Sequence, residues 1–218
     1  MKTKLSYSIL FLLIATLISA QVTIGVQGGV NFQNLNGKSA NGDALENSMI
    51  PGFNAGINIQ IPIAPEFYFQ PGILYSTKGA KHQGTLLTTT TTLSYIELPF
   101  NFVYKGSLGS GFVLLGVGPY VAYGINGKEL TEGGSISLET PVKFQNRVEL
   151  SDSPFVPYYN ALDAGGNLFV GYELAGGIYA QLNAQLGMLD IHPEYAISIN
   201  DKSVLKNTGF GVSLGYRF

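Results

Sequence analysis

The segment TGFGVSLGYRF at positions 208–218 alternates without interruption. Phe210, Val212, Leu214, Tyr216 and Phe218 share one parity, and Gly209, Gly211, Ser213, Gly215 and Arg217 share the other. A period of two is that of a β-strand, whose successive side chains point to opposite faces of the sheet. The pattern recurs along the chain. Ile24, Val26, Val30 and Phe32 oppose Thr23, Gln27 and Asn31, and the odd positions Phe53 to Ile63 oppose Asn54, Asn58 and Gln60. Phe67, Phe69, Ile73 and Tyr75 then oppose Gln70, Ser76 and Lys78, and Ile96, Leu98, Phe100, Phe102 and Tyr104 oppose Glu97 and Asn101. Val113, Leu115, Val117, Val121 and Tyr123 oppose Gly116, Gly118 and Tyr120; Leu162, Leu168, Val170 and Tyr172 oppose Asp163, Asn167 and Glu173; and Ile178, Leu182, Leu186 and Met188 oppose Gln181, Asn183 and Gln185. With the closing segment, this periodicity predicts eight strands of about ten to twelve residues, long enough to cross a bilayer when tilted.

The links between these segments alternate in length. Residues 63–66, 105–111 and 173–177 are tight and contain Gly, Pro, Ala or Ser, whereas 35–50, 79–92, 125–159 and 191–207 are predicted to be long loops. Short turns at one end and long loops at the other are the layout of an outer-membrane barrel with periplasmic turns. The expected fold is all-β: an eight-stranded antiparallel up-and-down transmembrane β-barrel. Closure leaves no unpaired strand edge in hydrocarbon, where each unsatisfied backbone group costs several kcal/mol. Pro71, Pro99 and Pro119 are read as outward-facing and are expected at local bulges, because proline removes a ladder hydrogen bond.

Alternation alone does not say which face is outside, since a soluble barrel has the same period with its apolar face inward. Composition and aromatic placement decide it. Charged residues are only 12 % of the chain, too few to coat a soluble surface, and the polar face is mostly Gly, Asn, Gln and Ser. With alternating strand directions, Phe67, Tyr104, Tyr172, Tyr216 and Phe218 fall at the short-turn end, and Phe32, Phe53, Tyr75 and Tyr123 at the other. Two belts at the membrane interfaces would have this form, with Phe53, Phe67, Tyr75, Tyr104, Tyr123 and Tyr172 as the girdle. The apolar face is therefore expected to meet lipid. A net charge of −2 supplies no basic footprint for nucleic acid.

At the amino terminus, Lys2 and Lys4 precede the apolar run ILFLLIATLI and the small residues Ser19 and Ala20. This reads as a secretory signal peptide over 1–20, with the barrel over 21–218. The run is shorter than the roughly 20 apolar residues of a spanning helix. There is no Cys, hence no disulfide, thiolate metal site or lipidated cysteine.

The stretches FYFQPGILYSTKG (67–79), SYIELPFNF (94–102), LLGVGPYVAYGI (114–125) and KNTGFGVSLGYRF (206–218) resemble the outer-membrane β-barrel domain of Bacteroidetes, the porin-family group that includes PorT-like proteins. The resemblance spans essentially the whole mature chain. It implies an eight-stranded cell-envelope barrel in the outer membrane, and secretion-system components as partners by analogy with PorT. The terminal pattern of Phe210, Val212, Leu214, Tyr216 and Phe218 also resembles the signal read by the barrel assembly machinery, which would be a partner during insertion.

Eight strands enclose a space that side chains can fill, which argues against a wide pore. Gln70, Lys78, Glu97, Asn101, Asp163, Glu173 and Arg217 are expected inside as a polar network, with Arg217 near Glu173 or Glu66 and Lys78 near Glu97 or Asp163. Paired charges tolerate removal from water. No catalytic, cofactor or metal site is expected: His82 and His192, the latter near Asp190, Glu194 and Ser198, lie far apart without ligand spacing. The Thr88 to Thr92 run is read as a loop top, and VKFQNRVEL as part of an extracellular hairpin. Besides an envelope protein in contact with outer-membrane lipid, the sequence leaves open a narrow channel for small solutes or ions, a lipid-modifying enzyme, and a soluble ligand-binding barrel.

Overall fold

The computed structural model describes residues 22–196 and 201–218; the signal sequence expected over 1–20 lies outside them. Eight strands form the barrel: β1 (Thr23–Lys38), β2 (Ile50–Ala64), β3 (Phe67–Gln83), β4 (Thr88–Leu108), β5 (Gly111–Gly133), β6 (Leu162–Leu174), β7 (Ile178–Gly187) and β8 (Val204–Arg217). Each pairs antiparallel with its sequence neighbour, and β8 pairs with β1 to close the ring, from Gly25 opposite Arg217 to Lys38 opposite Val204. The tight turns at Glu66, Gly109 and Gly177 carry positive φ angles of 64°, 61° and 87°, a region glycine enters freely and Glu66 enters only because the two-residue link demands it.

The greasy face points out. Ile57, Leu98, Leu115 and Leu182 are 47, 42, 48 and 59 % exposed, while Asn58 and Asn101 are buried. This excludes a soluble barrel with an apolar ligand inside, because apolar area of this extent facing water on every strand would be strongly unfavourable.

Several expectations are corrected. The strands at the long-loop end run far past the membrane: β4 has 21 residues and β5 has 23. About ten tilted residues cover the apolar band, so roughly half of each stands beyond it. The region 79–92 is therefore no long loop; β3 and β4 continue in register until only residues 84–87 link them, and Thr88 to Thr92 is paired on both sides. β5 continues into a hairpin with the short strand Ile136–Pro141. VKFQNRVEL forms no hairpin of its own; Lys143–Phe144 and Arg147–Val148 make parallel bridges to Tyr158–Tyr159 and Glu194–Tyr195.

The prolines are not bulges. Pro71 and Pro119 face outward, but Pro99 shares the buried inward parity of Glu97 and Asn101. Pro71 lies opposite Phe100 and Pro99 opposite Tyr120, and the register runs on unshifted past them. Each proline interrupts the ladder without an inserted residue. Register shifts occur instead at Pro62/Ala64, beside a turn, and at Ser94/Tyr95, where Ile125 is the extra residue.

Candidate functional site: a closed lumen

Inside the barrel, charge is gathered at two levels. Toward the long-loop end Lys78 rises from β3, Glu97 from β4 and Asp163 from β6. The Lys78 Nζ lies 3.0 Å from Glu97 Oε2 and 3.0 Å from Asp163 Oδ2, with all three side chains almost fully buried. Asp163 Oδ2 also accepts from Tyr120 OH at 3.2 Å and from Asn207 Nδ2 at 3.0 Å. The ammonium sits 4.3 Å from the Tyr120 ring centroid and 5.4 Å from that of Tyr95, a further source of stabilisation for a buried cation.

Near the short-turn end the proportions reverse. Arg217 Nε lies 3.1 Å from Glu173 Oε2, and Lys105 Nζ 2.6 Å from Glu173 Oε1. The guanidinium also donates to Asn58 Oδ1 at 3.1 Å and Gln70 Oε1 at 3.4 Å, and stacks 5.2 Å from the Tyr179 ring. Lys105 is a member that the alternation pattern did not single out. The two levels together hold three cations and three carboxylates, Lys78, Lys105 and Arg217 against Glu97, Asp163 and Glu173, so their charges balance.

Between the levels lies a cavity of about 80 Å³ lined by Asn, Gln and Ser side chains together with apolar ones such as Leu74 and Phe169, with Glu97 and Asn101 on its wall. Gln185 Nε2 bridges Glu97 Oε1 at 2.8 Å and Asn167 Oδ1 at 2.9 Å. The amide oxygens of Asn101 and Gln60 are buried without a protein partner. A space of this size holds a few waters, which would satisfy Asn101 on its wall.

The sequence reading undercounted the aromatics inside. Tyr95, Tyr120, Phe169 and Tyr179 all point inward and are buried. Each lies directly across the sheet from a glycine: Tyr95 from Gly124, Tyr120 from Gly165, Phe169 from Gly116 and Tyr179 from Gly215. A Cβ at Gly116 would collide with the Phe169 ring, and one at Gly215 with the Tyr179 ring. The many glycines on the polar parity are thus where the rings lie, and an aromatic among Asn and Gln positions was the signal for it.

Above the upper charges the lumen is capped by the long loops. Ile191, wholly buried, packs with Leu35, Leu93, Tyr95 and Tyr159, joined by Val142, Phe144 and Leu205. Asn160 Nδ2 donates to the carbonyls of Asp190 and His192, and Ile191 N donates to Leu205 O. Tyr159 OH donates to Glu129 Oε1 at 2.6 Å; burial, then the neighbouring Glu129, pushes its pKa well above the ordinary tyrosine value. At the surface, the Ser203 hydroxyl and backbone N–H hold the Asp201 carboxyl low, aided by His192.

The remaining residues fall on the outside. Phe53 stacks 5.5 Å from Tyr75 and Phe67 5.3 Å from Tyr104, at opposite ends. Tyr123 is 60 % exposed, and Tyr172 OH donates to Leu108 O at 2.7 Å. Phe210, Val212, Leu214 and Tyr216 line the lipid face of β8, and Phe218 N donates to Ile24 O at 2.8 Å. His82 meets Asn47 and His192 meets Asp201, so the two histidines are not brought together; Ser198 lies outside the described residues. Among the described residues no three His, Asp or Glu side chains are grouped to hold a metal ion.

Residues 19–201 match the family described as outer membrane protein beta-barrel domain. Among solved structures the chain is similar to Neisserial surface protein A (12 % identity, 89 % of this chain and 97 % of that one, TM-score 0.44). It is also similar to the attachment invasion locus protein Ail of Yersinia pestis (11 % identity, 90 % and 98 %, TM-score 0.39). No curated protein matches it in sequence.

Proposed function

The chain belongs to the outer membrane protein beta-barrel domain family, and on that footing we propose that it is a non-enzymatic structural or accessory barrel of the cell envelope whose lumen is sealed by its own side chains. One observation carries the reading: two buried ion clusters and an apolar cap fill the lumen above and below a cavity of about 80 Å³. Work at such a barrel falls to its surfaces, above all the extended β3–β5 sheet and the long loops. Planar-bilayer recording tests it. The sealed barrel gives no stable large conductance, and a steady solute-sized conductance defeats the plug.

The resemblance to PorT-like proteins supports a finer reading, a Bacteroidetes barrel that serves protein secretion, exported by its N-terminal signal and inserted through the aromatic-ended β8. Deleting the gene and measuring exported cargo tests the secretion role, and unchanged export would remove it. Truncating Phe218 tests the insertion signal: the outer-membrane yield of folded protein should fall several-fold.

A further inference from the structure

The lipid face of the β1–β8 seam changes character with height. Val26 opposite Tyr216, Val30 opposite Val212 and Phe32 opposite Phe210 present hydrocarbon and rings, the Phe32 and Phe210 centroids 5.5 Å apart. Toward the long loops come Asn34 opposite Thr208, Asn36 opposite Lys206, and Lys38 opposite Val204. Asn36 Nδ2 donates to Thr208 Oγ1 at 2.7 Å, forming a polar shelf above the ring pair. An open groove of about 390 Å³ lies over this shelf, with Lys38, Lys206, Val204 and Leu186 in its wall.

Aromatic rings mark the interface, and four tilted residues from Phe210 to Lys206 rise about 10 Å, into the headgroup layer of the outer leaflet. A lone lysine there is an ordinary snorkelling anchor. Here two ammonium groups are diagonal neighbours on paired strands, and neither is in an ion pair among the described residues. Elsewhere on the rim Lys128 is matched by Glu139 and Arg147 by Glu149, and Lys81 and Lys143, in no ion pair among the described residues, do not line this groove. Of the carboxylates on the adjoining loops, Asp201 is turned to His192 and to the Ser203 N–H, and Asp43 is in no ion pair. Below the lysines, Leu186 is 56 % exposed, an apolar floor continuous with the lipid face.

We propose that this groove binds the phosphorylated headgroup of an acylated glycolipid of the outer leaflet. Lys38 and Lys206 would hold one phosphate, and the acyl chains would lie along Leu186 and Phe210. A phosphate monoester carries up to two negative charges and suits two ammonium groups, and the apolar floor favours a lipid over free phosphate.

The test is native mass spectrometry of the refolded barrel in detergent. It is titrated with bisphosphorylated lipid A, with the same lipid after phosphatase treatment, and with the deacylated phosphorylated disaccharide. Wild type and Lys128→Gln should retain bisphosphorylated lipid A equally, and the Lys38→Gln/Lys206→Gln variant should bind it about tenfold more weakly or worse. Phosphatase treatment should weaken binding to wild type by a similar factor, and so should deacylation. Heat-dependent gel migration checks that each variant is folded. Undiminished binding by the folded double variant, or of the phosphatase-treated lipid, would overturn the site. Equal binding of the deacylated disaccharide would make it a free-phosphate site and overturn the lipid assignment.

Discussion

The two ionic levels of the lumen use the same chemistry in opposite proportions. The upper one sets a single ammonium against two carboxylates, with Lys78 and Asp163 wholly buried beneath the Ile191 cap. The lower one sets two cations against one carboxylate near the short-turn mouth, where Lys105 keeps 14 % of its side-chain surface exposed. The difference lies in redundancy and hydration. Below, Glu173 keeps a partner if either cation is lost. Above, nothing replaces Lys78, and the carboxylates it holds together would repel each other out of reach of water.

Removing the irreplaceable member should therefore have the largest effect. Lys78→Met is expected to lower stability by about 3–5 kcal/mol, read from urea unfolding in lipid vesicles; a loss below about 1 kcal/mol would break the comparison. Arg217→Met leaves Glu173 paired with Lys105, so a smaller loss of about 1–3 kcal/mol is expected in the same assay. Adding Glu97→Gln and Asp163→Asn to Lys78→Met removes the stranded charges, and most of the lost stability should return.

The cap can be probed by pH. Tyr159 has its folded-state pKa raised above the usual 10.0. Its contribution is thus complete below pH of about 10 and is lost as pH rises from there toward the folded value, because only the unfolded loop ionises freely. Limited proteolysis of the long loops should accelerate above that pH. Tyr159→Phe should shrink the alkaline step, the part that remains coming from other buried tyrosines such as Tyr195, while loosening the cap by about 1 kcal/mol. The smallest effect is expected from Lys105→Gln, within about 1 kcal/mol, since its ammonium is partly hydrated and Arg217 remains.

The sequence by itself determined which face each strand turns to lipid. The pleat makes side chains alternate strictly, so Leu98 and Glu97 cannot share a side, and hydrocarbon admits only one choice between them. Parity and strand direction also brought Lys78, Glu97 and Asp163 to one level, and Glu173 and Arg217 to another. Lys105 escaped because it ends an apolar run beside a turn, where alternation carries little weight. The inward rings of Tyr95 and Phe169 were visible as aromatics on the polar parity, but their glycine partners Gly124 and Gly116 could be matched only through cross-strand register.

Only the tertiary structure decided where the strands stop and what closes the mouth. Lipid punishes an unpaired backbone group, so the membrane-spanning pattern is strict. Beyond the headgroups water accepts such groups, and strands such as β4 and β5 extend or end according to the pairing they find, which Thr88 to Thr92 does not announce. The same holds for Pro71, Pro99 and Pro119. Each removes one donor, and whether the chain answers with an extra residue or a gap depends on neighbouring strands far away in sequence.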